Sequence, residues 1–148
     1  MAWDKLRQLY MEVITDHARA PHHYGELAGL TPKTLHNPTC GDVIHLFVKV
    51  VDDHVAEIAF QGQGCNISTA SASMMTDVVV GKRIREVKEL AAAFSQLLQG
   101  QTHEGQKALG DAQILAGVAQ FPQRIKCASL AWQALSQILA NEKGEENV

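Results

Sequence analysis

The chain has 148 residues, of which 46% are hydrophobic and 20% charged, and its formal net charge is −3. This composition is typical of one globular domain, and a chain of this length can fold without a disulfide or a structural metal. The absence of a Lys/Arg-rich run argues against nucleic acid as a partner. No apolar run has the length of a signal peptide core or a membrane span, and three cysteines without a neighbouring pair favour a reducing compartment. We therefore expect a cytoplasmic protein that does not bind membranes.

The first predicted element is an amphipathic helix. Apolar residues recur at steps of three and four from Trp3 to His17, and the pattern stops before Pro21. Such spacing gives a helix one apolar face. Residues 25–39 are rich in Gly and Pro, which predicts a loop with one short strand at residues 33–36.

Two alternating runs predict a β-hairpin. Residues 43–51 place apolar side chains at every second position, an Asp-Asp pair follows, and residues 55–60 alternate again. A period of two is that of a strand with one buried face, and a polar pair between two such runs is a turn signal.

Three helical segments are predicted after the hairpin. A Gly-rich turn leads into residues 66–80, which are rich in small side chains that allow close packing. Amphipathic patterns then predict helices at Ile84–Leu98 and at residues 108–118, separated by a polar connection at residues 100–105.

A last helix is predicted from Pro122, a residue suited to the first turn of a helix, and its apolar spacing continues to Asn141. Residues 142–148 are expected to form a frayed tail. The whole chain, residues 1–148, is predicted to be a single α+β domain with a small antiparallel sheet and helices packed on one face.

The three cysteines lie at boundaries of the predicted elements. Cys40 lies in the loop before the first hairpin strand, Cys65 at the Gly-rich turn, and Cys127 in the second turn of the last helix. Any one of them alone could equally be a buried small hydrophobe. In Cys40-Gly41-Asp42, side chains two residues apart in extended backbone project to the same side, so both can reach one metal. Three thiolates and the Asp42 carboxylate make a four-ligand set, and such thiolate-rich sites favour zinc.

Two further features bear on the charge of this set. Cys65 precedes a helix, whose positive end favours an anionic sulfur. Arg124 lies three residues before Cys127 and could stabilise that thiolate or bind a nearby carboxylate, or it could be a solvated surface side chain. A metal bound by three thiolates and a carboxylate retains an excess of negative charge, which Arg124 and Lys126 would partly offset.

Most of the seven histidines are not predicted to join the cysteines as ligands. The pair His22-His23 has no helical or strand spacing to the cysteines. His45 is expected to point outward from a strand, and His54 and His103 lie at predicted turns.

Three ordered motifs carry a family resemblance: NPTCGD at residues 37–42, GQGCNIS at 62–68 and RIKCA at 124–128. They resemble the ligand motifs of the IscU/SufU-type iron–sulfur assembly proteins, which are NifU-like. The segment at residues 9–21 also resembles the N-terminal region of this family, so the similarity runs from residue 9 to about residue 132.

Two features resemble the SufU branch of that family. Lys126 stands where the scaffold branch has a histidine, and the stretch between the second and third cysteines, filled by residues 87–121, is longer than in that branch. The resemblance implies a SufE/NifU-like fold and a zinc site formed by Cys40, Asp42, Cys65 and Cys127.

The implied function is that of a zinc-dependent sulfurtransferase. The protein would accept persulfide sulfur from a SufS-like cysteine desulfurase and carry it towards a SufBCD-like assembly complex, rather than act on a small molecule alone. One alternative is a scaffold that holds iron or a [2Fe–2S] cluster, since thiolates with one oxygen ligand also bind iron. The other is a structural zinc module that only docks partners.

Cys40 is predicted to be the residue that receives the sulfur, and Arg124 to assist electrostatically. Cys40 lies between Pro38 and Gly41, on a loop that can move without unwinding a helix, whereas Cys65 and Cys127 lie at or inside helices.

Overall fold

A computed structural model of the chain describes residues 2–38, 41–101 and 104–146. Cys40 and His103, both considered above, lie outside these ranges. Among the described helices, none combines the length and the apolarity needed to cross a bilayer. In chain order the elements are α1 (Ala2–Arg19), β1 (Lys33–Asn37), β2 (Asp42–Val51), β3 (His54–Gln63), α2 (Asn66–Val79), α3 (Ile84–Leu98), a 3₁₀ segment (Glu104–Gln120) and α4 (Pro122–Glu146).

The three strands form one antiparallel sheet in the order β1-β2-β3. The predicted hairpin is confirmed, because β2 and β3 are joined by Asp52 and Asp53, which both have positive φ angles of 51° and 66°. Two such residues are what a two-residue type I′ turn requires. The predicted short strand is β1, and its last residue, Asn37, pairs with Asp42 at the start of β2. The sheet therefore brings the first ligand motif to one of its ends.

The core lies between the sheet and the helices. Ile44 and Leu46 on the inner face of β2 are buried, and α4 packs against β1 and β2 while α2 packs against β3. The hydroxyl of Ser71 in α2 donates to the carbonyl oxygen of Ala128 in α4 at 2.6 Å, an approach that only a small side chain permits. The predicted α+β class, with helices covering the sheet, is confirmed.

The 3₁₀ segment differs from its prediction. An α-helix was expected at residues 108–118, whereas 3₁₀ turns extend over Glu104–Gln120 and are interrupted at Gly110, where φ is 56° and ψ −133°. The buried apolar residues here recur at every third position, which places them on one face of a 3₁₀ helix because that helix has about 3.0 residues per turn. These residues are Leu109, Ala112, Leu115 and Val118. The prediction of an α-helix was wrong, since this spacing fits the tighter helix.

The other helices agree closely with their predictions. Helix α3 has the predicted bounds, and α2 ends one residue early, at Val79. Helix α4 continues to Glu146, beyond the predicted end at Asn141, so the segment expected to fray is helical as far as residue 146. Residues 147–148 lie outside the described chain.

Candidate metal centre

Three of the four predicted ligands converge where three elements begin. Asp42 is the first residue of β2, Cys65 is the N-cap of α2, and Cys127 lies in the second turn of α4. Their ligand atoms all lie within 4.8 Å of one another. Asp42 and Cys127 are buried, and Cys65 is partly exposed. The fourth predicted ligand, Cys40, lies outside the described residues, so its place in the set remains a prediction.

The Asp42 carboxylate is held in position by hydrogen bonds. The backbone N–H of Cys65 donates a hydrogen bond to Oδ1 of Asp42 at 3.0 Å, so the start of α2 holds the carboxylate. The side-chain amide of Asn37 lies 3.5 Å from the other oxygen, Oδ2, and 3.8 Å from the sulfur of Cys127. Asn37 and the N-terminus of α2 together orient the carboxylate towards the two thiols.

Glycines make room for this arrangement. A Cβ atom at Gly64 would lie 2.5 Å from Oδ1 of Asp42, and a Cβ at Gly62 would collide with the carbonyl oxygen of Val43. Gly41 has a φ angle of 76°, and its N–H donates to the carbonyl oxygen of Asn37 at 2.7 Å. Because side chains are disfavoured at positive φ, Gly41 permits the turn that leads into β2 at Asp42, the last residue of the first motif.

The donor set fits a thiophilic cation. The Asp42 side chain is buried, with a residue exposure of 1%, and none of the ion pairs between described residues includes it. A buried carboxylate is costly unless a cation compensates its charge. Two sulfur donors and one carboxylate oxygen converge on one point, and such donors suit zinc, while thiolates also hold iron in iron–sulfur clusters.

Comparison with known proteins identifies the family to which the chain belongs. The model of the NifU-like N-terminal domain matches residues 9–137, a range that contains all three motifs. The chain belongs to this family. It is 53% identical, over all of its length and 93% of the relative, to the iron–sulfur cluster assembly scaffold protein IscU of Streptococcus pyogenes serotype M1. It is 44% identical to the zinc-dependent sulfurtransferase SufU of Bacillus subtilis (strain 168), over 94% of this chain and 95% of that protein.

A solved structure supports the fold assignment within the family. The crystal structure of FiSufU from the thermophile Fervidobacterium islandicum AW-1 matches with a TM-score of 0.81 at 27% identity, over 86% of this chain and 94% of that one. The resemblance to IscU/SufU-type proteins is therefore confirmed. Because relatives of both branches match, membership alone does not choose between the scaffold and the sulfurtransferase.

Two basic residues precede Cys127 in the first turns of α4. Arg124 and Lys126 are both exposed in the first turns of α4, and neither takes part in an ion pair found between described residues. A protonated lysine has no free lone pair, so Lys126 offers no ligand in its charged form. The electrostatic role of Arg124 stays a prediction.

Sequence reasoning missed a second group of potential ligands. His17, His22 and Asp77 come together at the other end of α2, with ligand atoms that also lie within 4.8 Å of one another. The spacing of His17 predicts only a place on a helix face, and His22 has no helical or strand spacing to the cysteines. The available signal was the short interval between the two histidines around Pro21, but the partner Asp77 is distant in sequence.

Proposed function

We propose that this chain is a zinc-dependent sulfur acceptor and carrier of the SufU type, which takes persulfide sulfur from a cysteine desulfurase for iron–sulfur cluster assembly. The observation that carries the proposal is that the two sulfur atoms of Cys65 and Cys127 lie within 4.8 Å of each other and of a carboxylate oxygen of the buried Asp42. A relative that is 44% identical is named a zinc-dependent sulfurtransferase, which supports this choice.

The residues that would hold zinc are Asp42, Cys65 and Cys127, with Cys40 as the fourth. Zinc supplies positive charge that keeps coordinated thiols in the thiolate form. Asp42 contributes the oxygen donor and is oriented by the N–H of Cys65. Cys127, with an exposure of 0%, is fixed inside the core, where it anchors the site to α4.

Cys40 is the residue that we propose as the sulfur acceptor. Cys127 is buried within a helix, so it cannot meet a persulfide on another protein without disturbing that helix. Cys65 is partly exposed but is fixed at the N-cap of α2, which leaves it less free to move than a loop residue. In the sequence, Cys40 is followed by Gly41, which is exposed and has the backbone freedom of a turn.

The proposed transfer is a thiol exchange with no net oxidation. The Cys40 thiolate attacks the terminal sulfur of the desulfurase persulfide. A sulfur–sulfur bond forms on Cys40 as the one on the desulfurase breaks, and the desulfurase cysteine leaves as a thiolate that takes up a proton. A SufBCD-like assembly complex would then receive the sulfur from Cys40.

Arg124 and Lys126 are proposed to assist this exchange electrostatically. Both side chains are exposed at the start of α4, in the turns that contain Cys127. Their positive charges would favour the approach of an anionic persulfide towards a site that is itself rich in thiolate. Because both side chains are exposed, we expect the removal of either charge to affect transfer more than stability.

The decisive experiment is single-turnover transfer from a SufS-like desulfurase, at known zinc content, followed by peptide mass spectrometry. We expect the added sulfur on the peptide that contains Cys40, and we expect Cys40→Ser to prevent its transfer. Sulfur found on Cys65 or Cys127, together with a Cys40→Ser variant that still accepts it, would refute the assignment of the acceptor. An absence of desulfurase stimulation by the zinc-loaded protein would refute the carrier function itself.

A second candidate function is that of a scaffold for a [2Fe–2S] cluster. It is favoured by the 53% identical relative from Streptococcus pyogenes, which is named a scaffold protein. Purification in the absence of oxygen separates the two, because a brown protein with thiolate-to-iron absorption supports the scaffold, whereas a colourless protein with about one zinc supports the carrier. Lys126 favours the carrier. The scaffold branch has a histidine at this position, and a protonated lysine cannot replace that histidine as a nitrogen ligand.

A structural zinc module is less well supported. Such modules depend on the metal for folding because they have little core of their own. Here large apolar side chains such as Leu46, Phe94 and Leu135 are fully buried in a core of their own, and Phe94 stacks on Trp132 with ring centroids 4.6 Å apart. We expect the helical circular dichroism to persist after chelation.

A further inference from the structure

We propose a second metal site, for a divalent first-row transition ion, formed by His17, His22 and Asp77. The site uses no cysteine and does not depend on the sulfur-carrier function proposed above. Its three ligand atoms lie within 4.8 Å of one another, and they come from α1, from the turn after it and from α2. Two imidazole nitrogens and one carboxylate oxygen form a donor set that suits zinc or ferrous iron.

The two histidines are held towards the same point. His17 is only 5% exposed although its ring is polar, and its centroid lies 4.6 Å from that of His22. The backbone N–H of His22 donates to Oγ of Ser73 at 2.8 Å, so the turn that carries His22 is fixed to α2. The Nδ1 atom of His22 lies 2.5 Å from Oδ2 of Asp77, which places the imidazole against the carboxylate.

The ring of His17 also has the outer partners that orient metal-binding histidines. The Nδ1 atom of His17 is 2.7 Å from Oγ of Ser73, and its Nε2 atom is 3.1 Å from Oδ2 of Asp111. Whichever nitrogen faces an ion, the other nitrogen keeps a hydroxyl or carboxylate partner. Such partners fix the tautomer and the orientation of a ligating imidazole, and they raise its basicity.

Charge around the cluster favours a cation. Asp77 and Asp111 border the same cavity, whose volume is about 330 Å³, and among the described residues that line it Lys82 alone is positively charged. Nδ1 of His23 lies 3.6 Å from Oδ1 of Asp77, so a third imidazole is within reach of the carboxylate. Two carboxylates against one ammonium leave net negative charge beside the cluster, which favours a bound cation.

The cluster is separate from the cysteine site. Cys65 caps the N-terminus of α2, and Asp77 lies near its C-terminus, twelve residues further on. At about 1.5 Å per residue, this interval corresponds to about 18 Å along the helix axis. One ion therefore does not bridge the two clusters, and each can be removed by substitution without changing a ligand of the other.

The test is a zinc titration of the full-length protein, monitored through the ring ¹⁵N signals of its histidines. We expect the signals of His17 and His22 to shift on binding and that of His36, an exposed residue on β1 beside the cysteine motif, to stay unchanged over the same equivalent of zinc. If the cysteines take zinc first, the shifts begin with the second equivalent; if they do not, the shifts begin with the first. The site is thus tested whatever the outcome for the cysteine site. An anaerobic repeat with ferrous iron is expected to broaden the same two signals.

Variants complete the test. His22→Asn and Asp77→Asn alter exposed side chains, so both proteins should fold, and each is expected to weaken zinc binding at this site at least tenfold. His36→Asn is the matched control and should bind as the unmodified chain does. Unshifted His17 and His22 signals at millimolar zinc, or equal affinity in His22→Asn and His36→Asn, would overturn the proposal and leave the cluster as a hydrogen-bond network between helices.

Discussion

Replacing Gly64 with alanine is expected to damage the cysteine site through a single steric contact. The added Cβ would lie 2.5 Å from Oδ1 of Asp42, 3.0 Å from its Cγ and 3.2 Å from its Cβ. The φ angle of Gly64 is not in the left-handed region, so an alanine there creates no backbone strain of its own. The carboxylate must therefore move, and the hydrogen bond that it accepts from the N–H of Cys65 at 3.0 Å must lengthen.

The size of this effect follows from two contributions. Overpacking of a well-packed interior costs about 1–3 kcal/mol, and a hydrogen bond to a charged group contributes about 1.5–3 kcal/mol. The two do not add, because the same displacement of Asp42 relieves the clash and breaks the bond. We expect a net loss of about 2–3 kcal/mol in the free energy of unfolding. With a urea m-value of about 2 kcal/mol/M, the midpoint falls by about 1 M or more.

Urea unfolding followed by circular dichroism, with zinc content measured in parallel, checks this prediction. Gly117→Ala is the matched control, because a Cβ there meets no atom within 4 Å. The control should be neutral or more stable by up to about 1 kcal/mol, as expected when glycine is replaced without strain. An equal midpoint and an equal zinc content in Gly64→Ala and Gly117→Ala would show that Asp42 does not occupy the position described here.

Three further substitutions test the buried charge of Asp42, the role of Arg124 and the contact between α2 and α4. Asp42→Asn keeps the shape of the side chain but removes its buried charge, so the metal-free protein should be as stable as the unmodified chain or more stable, while zinc binding measured by chelator competition weakens at least tenfold. Arg124→Ala removes an exposed side chain, so unfolding should change by less than about 1 kcal/mol while the rate of sulfur transfer falls; an unchanged rate would return Arg124 to a purely solvated role. Ser71→Ala removes the hydroxyl that donates to the Ala128 carbonyl at 2.6 Å, and a loss of about 1–3 kcal/mol is expected in urea unfolding; a loss below about 0.5 kcal/mol would mean that another donor replaces it.

Local patterns predicted much of this fold. The Asp-Asp pair between two alternating runs predicted the hairpin, and an amphipathic pattern gave the bounds of α3. The third-position spacing of Leu109, Ala112 and Leu115 fits a 3₁₀ helix, but the same apolar pattern also fits an α-helix, which is far more common than a long 3₁₀ run.

The two candidate sites also differ in how far local sequence patterns predict them. The motif around each cysteine predicted that Asp42, Cys65 and Cys127 would meet, because each lies where an element begins. The cluster of His17, His22 and Asp77 depends on how α1 packs against α2, and no local spacing specifies that packing. Short motifs can predict a site, but contacts between distant segments become visible only in the folded chain.

The three-residue repeat of the 3₁₀ segment limits how this part of the chain can change in length. Each residue turns a 3₁₀ helix by about 120°, so one inserted residue would rotate every later side chain away from the core. Inserting or deleting three residues would return Leu115 and Val118 to the buried face that they now occupy. We therefore expect relatives with a longer or shorter connection before α4 to differ in this segment by multiples of three residues.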